Sequence, residues 1–427
     1  MTLGASPQDS RIQAMVAEVS ADDLHSIDSQ LVAFGTRNAF SEQQRSKTRG
    51  VLPARDWIRA QFEEAARGSG GRMSVTYDTY LQPKTEDTPR QVTISSVIAV
   101  LKGDDPDGRT YVMSSHYDSR NSNGTDATLD APGADDNGSG TAAVIEAARI
   151  MAKTPFHGTI IFACFDGEEQ GLFGSGHYAQ TAKAAHLNIL GDLNNDIIGA
   201  SVGPHGERAP STVRIFSQAL PEGASIERVN LIGSENDSPS RELARFVKTA
   251  GEQYVPSMDG ELIYRADRFL RGGDQESFTA QGFPAMRFVE KYENFDHQHQ
   301  TVRLDGSVQY GDLLQYEDFQ YLARVTQMNV AALATLALGP EQPSSVEMLT
   351  KKLGYDTTLR WKPSLHAVSY EVVWRSTTSP IWEETKNVGS ETQATVPIGK
   401  DDYVLGVRAV DAQGLRSPAV YPKPVRE

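Results

Sequence analysis

Five short segments of this 427-residue chain carry side chains of the kinds that hold metal ions. The first is Ser114-Ser115-His116-Tyr117-Asp118, and the second is Gly133-Ala134-Asp135-Asp136-Asn137-Gly138-Ser139-Gly140. The third is Phe165-Asp166-Gly167-Glu168-Glu169-Gln170-Gly171-Leu172, and the fourth is Asn194-Asn195-Asp196-Ile197-Ile198-Gly199. Asn294-Phe295-Asp296-His297-Gln298-His299-Gln300 adds histidines from a loop. Histidine nitrogen and carboxylate oxygen are donors that zinc takes in four-coordinate sites. Two zinc ions about 3.5–4 Å apart need a carboxylate shared between them. The adjacent acids Glu168 and Glu169 follow an apolar run, where they are costly unless a cation or protons compensate. Taken singly, each segment has an ordinary reading as a turn, a helix-capping loop or the start of a helix. Their order and their shared place after strands favour a common metal site.

The elements that must position these side chains alternate in type. Residues 73–80, 92–101, 110–114, 159–165, 187–196 and 285–289 read as strands. Residues 11–35, 52–67, 141–153, 171–184, 239–254, 274–281 and 316–336 read as helices. This alternation predicts an α/β fold with a mixed sheet sandwiched by helices. Sites in such sheets form outside the carboxyl ends of strands, where the first four segments fall. The stretch GPEQPSS at 339–345 reads as a linker. Beyond it the pattern is β only, at 359–361, 369–374, 394–396 and 403–410, which suggests a β-sandwich of roughly 80 residues. The expected division is a large α/β unit over 1–340 and a small β-sandwich over 341–427.

Hydrophobic residues make up 39% of the chain and charged residues 23%, as in ordinary globular proteins. No stretch approaches the roughly 20 apolar residues that a membrane span needs. The net charge of −15 argues against nucleic acid and anionic membranes as partners, because both require clustered Lys and Arg. The acidic excess belongs to the first unit, since residues 345–427 hold 11 Lys/Arg against 10 Asp/Glu. The single cysteine, Cys164, allows no intrachain disulfide and no cysteine-rich zinc site. It sits in an apolar run and reads as a buried core thiol. The N-terminal stretch MTLGASPQDSRIQ has no apolar signal core, so the chain is either cytosolic or begins after a removed signal.

The order and wording of the five segments resemble metallopeptidase family 28, the co-catalytic zinc aminopeptidases, over about residues 15–340. That family combines His-x-Asp, Gly-Ala-x-Asp-Asn-x-Ser-Gly, Glu-Glu-x-Gly-Leu, Asn-x-Asp-x-Ile-Gly and a late His. The resemblance implies a zinc exopeptidase fold, two zinc ions, and removal of N-terminal residues from peptides through a metal-bridging water. Carried over residue by residue, it implies His116 as a zinc ligand and Asp118 as the group that orients its imidazole. Asp136 would bridge both metals. Glu169 would bind the zinc of His116 or its neighbour, and Asp196 would complete the other side. Glu168 would be the general base. The last ligand departs from the family's Tyr-His and Thr-x-x-Asp wording. His299 is preferred there, with His297 as the alternative.

Arg271-Gly272-Gly273-Asp274-Gln275-Glu276-Ser277-Phe278 corresponds to the family's Arg-Ser-Asp-His-x-x-Phe, with Gln275 where His is common. That change leaves the role of position 275 open, and Arg271 either lines the pocket or forms a surface salt bridge. Relatives of this fold also include carboxypeptidases and glutaminyl cyclases. The cyclases keep one zinc and lack the His116-type ligand. A carboxypeptidase needs a cation for the substrate's terminal carboxylate, which Arg271 or Arg287 could supply. An inactive binding protein of the same fold is a further reading, against which the retention of Glu168 beside five ligands counts. The tail resembles a fibronectin type III domain in Leu359-x-Trp361, Tyr370-x-Val372 and the run from Tyr403 to Gly414, with Trp361 and Tyr403 expected in its core. Such an adhesion or spacer module implies a secreted or periplasmic home.

Overall fold

Eight strands build the main sheet of the computed structural model, which describes residues 8–86, 88–220 and 225–426. Residues 1–7, part of the stretch read for a signal, lie outside the described residues. The strands are β1 (Met73–Gln82), β2 (Val92–Leu101), β3 (Thr110–His116), β4 (Thr159–Phe165), β5 (Ile189–Asn195), β6 (Thr212–Ser217), β7 (Asp259–Ile263) and β8 (Ala285–Glu290). Their order is β1-β2-β4-β3-β5-β8-β6-β7. The central strands β4, β3, β5 and β8 are parallel, while β2 joins β4, and β6 joins β8, in antiparallel fashion. A parallel strand covered on both faces must be apolar on both. β4 meets this with Ile160, Phe162 and Cys164 in one core and Ile161, Ala163 and Phe165 in the other.

Nine helices are described: α1 (Ser10–Glu18), α2 (Ala21–Ala33), α3 (Val51–Arg67), α4 (Gly140–Met151), α5 (Phe173–Ala184), α6 (Ile226–Ile232), α7 (Pro239–Tyr254), α8 (Gln275–Ala280) and α9 (Phe319–Leu338). α1 to α4, α7 and α9 cover one face of the sheet, and α5 and α8 cover the other. α9 is apolar almost all round because it is enclosed by α1, α2, α4 and α7. Its start is fixed by the Asp318 carboxylate, which accepts the amide of Tyr321 at 3.0 Å. The helix expected over 11–35 is two helices. Val19 is extended, and the Ser20 hydroxyl accepts the amide of Asp23 at 3.2 Å, so a cap restarts the helix there.

β9 (Arg303–Asp305) and β10 (Val308–Tyr310) form a small hairpin before α9. After α9 come β11 (Ser344–Leu349), β12 (Thr357–Lys362), β13 (Ser369–Ser376), β14 (Glu384–Asn387), β15 (Gln393–Val396), β16 (Tyr403–Val410) and β17 (Lys423–Val425). They make two sheets, β15-β12-β11-β17 and β14-β13-β16, with one apolar core that includes Leu359, Trp361, Val372, Leu405 and Val407. Tyr403 does not join that core. It opens β16 opposite Ser376, at the strand end, and is 37% exposed.

Cys164 is fully buried, and burial pushes its thiol up to about 12. Because the thiolate is the reactive form, the native protein should resist iodoacetamide at pH 8 and react once denaturant is added. Fast native labelling, read by mass spectrometry, would contradict the packing of β4.

Candidate metal centre

The strand order brings the donors together. His116 ends β3, Asp196 follows β5 directly, and the Glu168-Glu169 pair lies in the turn after β4. These strands are neighbours in the order β4-β3-β5, and the chain crosses β3 between β4 and β5. A crevice therefore opens at their carboxyl ends.

The loop between β3 and α4 is pinned from every side. The buried Arg37 guanidinium donates to the carbonyls of Tyr117 (2.6 Å), Pro132 (2.5 Å) and Gly133 (2.8 Å). The Asp312 carboxylate accepts the amides of Asp135 (2.9 Å) and Asp136 (2.7 Å). The Asn137 side chain donates to the Asn195 carbonyl (2.9 Å) and accepts the Gly140 amide (2.9 Å). The Thr141 hydroxyl donates to the His116 carbonyl at 2.8 Å. A Cβ on Gly140 would fall 2.2 Å from the Asn195 carbonyl oxygen, so only glycine lets α4 begin against the end of β5. The Asp136–Asn137 peptide bond is cis.

With its backbone fixed, Asp136 divides its carboxylate. Oδ1 lies 3.3 Å from His116 Nε2, which is 3.5 Å from Asp196 Oδ1. Oδ2 lies 2.9 Å from His299 Nε2, which is 3.1 Å from Glu169 Oε2. Two donor trios result, His116-Asp136-Asp196 and Asp136-Glu169-His299, each with its ligand atoms within 4.8 Å of one another. Bonds of about 2.0–2.1 Å in a tetrahedron put neighbouring ligand atoms ~3.3 Å apart, close to these separations. His116 Nε2, Glu169 Oε1 and Asp196 Oδ1 are buried without a hydrogen-bond partner. A cation held there would supply the interaction these atoms lack. Both imidazoles register the surrounding carboxylates. Burial works against their protonation, yet Glu168 and Asp196 hold His116 well above its ordinary value. Glu169 and Asp136 likewise raise His299 to about 11.

The structure separates the two loop histidines. The His297 ring stacks on Tyr316 with centroids 3.6 Å apart, whereas His299, in the left-handed region at φ 55, faces the carboxylates. Asp118 uses both carboxylate oxygens on the amides of Glu168 (3.1 Å) and Glu169 (3.2 Å). Its backbone carbonyl lies 3.2 Å from His116 Nδ1, and its Oδ1 lies 3.5 Å from the same nitrogen. Glu168 belongs to neither trio, yet its Oε2 lies 4.0 Å from His116 Nε2. Burial holds its carboxyl well above the ordinary range. His116 opposes this, and Asp196, Glu169 and Asp274 add to it.

Further residues hold the site from outside the two trios. Arg287 is fully buried and pairs with Asp196 (2.9 Å) and Asp267 (2.8 Å). It is therefore not free to grip a substrate carboxylate, contrary to one expectation. Burial raises the Asp196 carboxyl, but Arg287 and then His116 outweigh it and keep it ionised below the usual value. Gln275 donates to Asp267 Oδ2 at 2.6 Å, so the residue standing where His is common supports the partner of Arg287. Asp274 is buried beside the same group, and burial pushes it up to about 7 against the pull of His116. Arg271 is partly exposed, 3.9 Å from Glu293 and 5.0 Å above the Phe295 ring. Arg37 and Asp312 are isolated in sequence from every motif, and only the tertiary fold shows what they hold.

The model of peptidase family M28 matches residues 96–303, a span that contains both trios. A probable zinc metalloprotease of Leptosphaeria maculans is 48% identical over 418 residues, covering 97% of each chain. Among solved structures, the LapA aminopeptidase of Legionella pneumophila aligns over 78% of each chain with a TM-score of 0.54 and 19% identity. A glutaminyl cyclase of Macrostomum lignano aligns over 78% of this chain and 94% of its own with a TM-score of 0.55 and 15% identity. At such identities these two structures speak for the fold alone. With nearly half of its residues shared along almost the whole length of its fungal relative, the chain belongs to peptidase family M28 and is a zinc metallopeptidase.

Proposed function

We propose that the chain is an aminopeptidase that uses two zinc ions, one in each trio, to release N-terminal residues from peptides. One observation carries this reading: Asp136 offers one oxygen to each trio, and Glu168 stands beside both without belonging to either. His116, Asp136 and Asp196 would hold one ion, and Asp136, Glu169 and His299 the other. Bound there, the ions supply Lewis acidity and lower the pKa of a coordinated water towards neutrality.

The chain's own residues do the rest. Glu168 takes a proton from the attacking water and returns it to the leaving amine, a task open to a carboxylate that stands at the crevice outside both donor trios. Its position is set by its backbone amide, which donates to the Asp118 carboxylate and so ties the turn after β4 to the segment following β3. The free α-ammonium of a substrate finds carboxylates at this crevice, while the buried Arg287 guanidinium is committed to Asp196 and Asp267. That charge arrangement favours an amino terminus over a carboxyl terminus. The trio built on His116 weighs against a one-zinc cyclase.

Aminoacyl anilides with free N-termini should be cut, N-blocked ones should not, and a chelator should stop the reaction reversibly. Cleavage confined to blocked peptides with a free carboxylate would reverse the direction of attack. Glu168→Gln should keep its zinc and its melting midpoint while turnover falls by about 10²–10⁴-fold. Near-normal turnover in that variant would remove Glu168 from the reaction. Asp118→Asn leaves only one acceptor oxygen for two amides, so metal affinity or activity should fall by about 10–100-fold. Zinc retention against graded chelator checks this, and unchanged retention together with unchanged activity would refute it.

A further inference from the structure

Away from the active site, three side chains from distant parts of the sequence meet where the peptidase sheet abuts the C-terminal strands. Asp105 lies in the turn between β2 and β3, His157 just before β4, and His366 between β12 and β13. Their donor atoms all lie within 4.8 Å of one another. His366 Nε2 is 2.6 Å from Asp105 Oδ1, and the two imidazoles stack with centroids 3.8 Å apart at 17°.

The geometry points to a second kind of metal site here, in which Asp105, His157 and His366 hold one zinc-like cation that fastens the C-terminal strands to the peptidase sheet. Two imidazoles and one carboxylate are the ligand types of zinc and its neighbours rather than of calcium or magnesium, which take oxygen. Each ligand is already braced. The Asp104 carboxylate lies 2.9 Å from His157 Nδ1 and holds that ring in place, which leaves Nε2 as its free donor. The other oxygen of Asp105 lies 2.8 Å from Arg109 Nε, and Arg109 Nη2 donates to the Gly339 carbonyl at the end of α9. The amides of Asp104 and Asp105 donate to the carbonyls of Phe156 and His157, so the two turns move as one. A Cβ on Gly103 would fall 2.1 Å from the His157 carbonyl oxygen, and glycine alone permits that approach. His366 is presented from a left-handed backbone at φ 63. The imidazoles are each about one-third exposed, which leaves room for water as a fourth ligand. Metal entry needs the 2.6 Å contact between His366 and Asp105 to open to a ligand edge of ~3.3 Å, and the His366 ring to turn out of its stack on His157 so that both imidazole planes meet at the ion.

The test uses the full chain, dialysed against micromolar zinc chloride and gel-filtered, with metal counted by mass spectrometry. His366→Asn removes the imidazole and keeps a residue that tolerates the left-handed backbone. It should bind one zinc fewer per chain than the parent, with the anilide rate per chain unchanged. His157→Gln should lose the same single ion. A melting midpoint in chelator equal to that of the parent shows that each variant is folded. Equal zinc content in parent and both variants would overturn the site.

Discussion

Asp136 turns one oxygen towards His116 and Asp196 and the other towards His299 and Glu169. A short carboxylate serves two partners in this way only if its backbone is held firmly, and much of the surrounding structure exists to hold it. Asp312 takes two successive amides of the loop, Arg37 gathers three carbonyls around it, and Asn137 ties it to β5. The parallel order β4-β3-β5 then delivers Glu169, His116 and Asp196 around that fixed point. The result concentrates buried acids that repel one another. Such a group is sustained by cations, by protons or by the paired guanidinium of Arg287.

The support continues outwards by contact. Gln275 holds Asp267, Asp267 holds Arg287, and Arg287 holds Asp196 on the side away from His116. Further out, the C-terminal strands are joined to α7 and the turn before it by buried polar contacts. Arg375 pairs with Asp237 at 2.7 Å, and the Trp382 indole donates to Glu242 at 3.0 Å. Burial pushes Glu242 up to about 8, against the opposing charge of Arg245. α7 in turn packs on α9 and on β6 and β8, so these contacts link the tail to the same sheet that carries the site.

His116, Glu169 and Asp196 were legible in sequence because each stands at or just beyond the end of an apolar strand, and Asp136 because its loop has the family's wording; the family assignment and the mixed sheet between helices followed from these segments. What stayed hidden depends on contacts between distant residues. Nothing around Arg37 or Asp312 distinguishes them from other polar residues, since their partners are backbone atoms about 80 to 180 positions away. The break between α1 and α2 turns on one serine cap within an otherwise continuous helical pattern. β6 and β7 are short and carry no motif, and their pairing at the sheet edge decided their state. Alternation along β16 gives Tyr403 the same face as Leu405, but it does not show that the core stops short of the strand's first residue. The choice between His297 and His299 rested on a loop whose turn sends one ring to Tyr316 and the other to the carboxylates.

The central claim is that Asp136 joins two metal ions. Anomalous diffraction from crystals of the zinc-loaded protein, collected on both sides of the zinc edge, addresses it directly. The account predicts two peaks flanking the Asp136 carboxylate, one bounded by His116 and Asp196 and the other by Glu169 and His299. A single peak there, or a second one bound through His297 in place of His299, would contradict it.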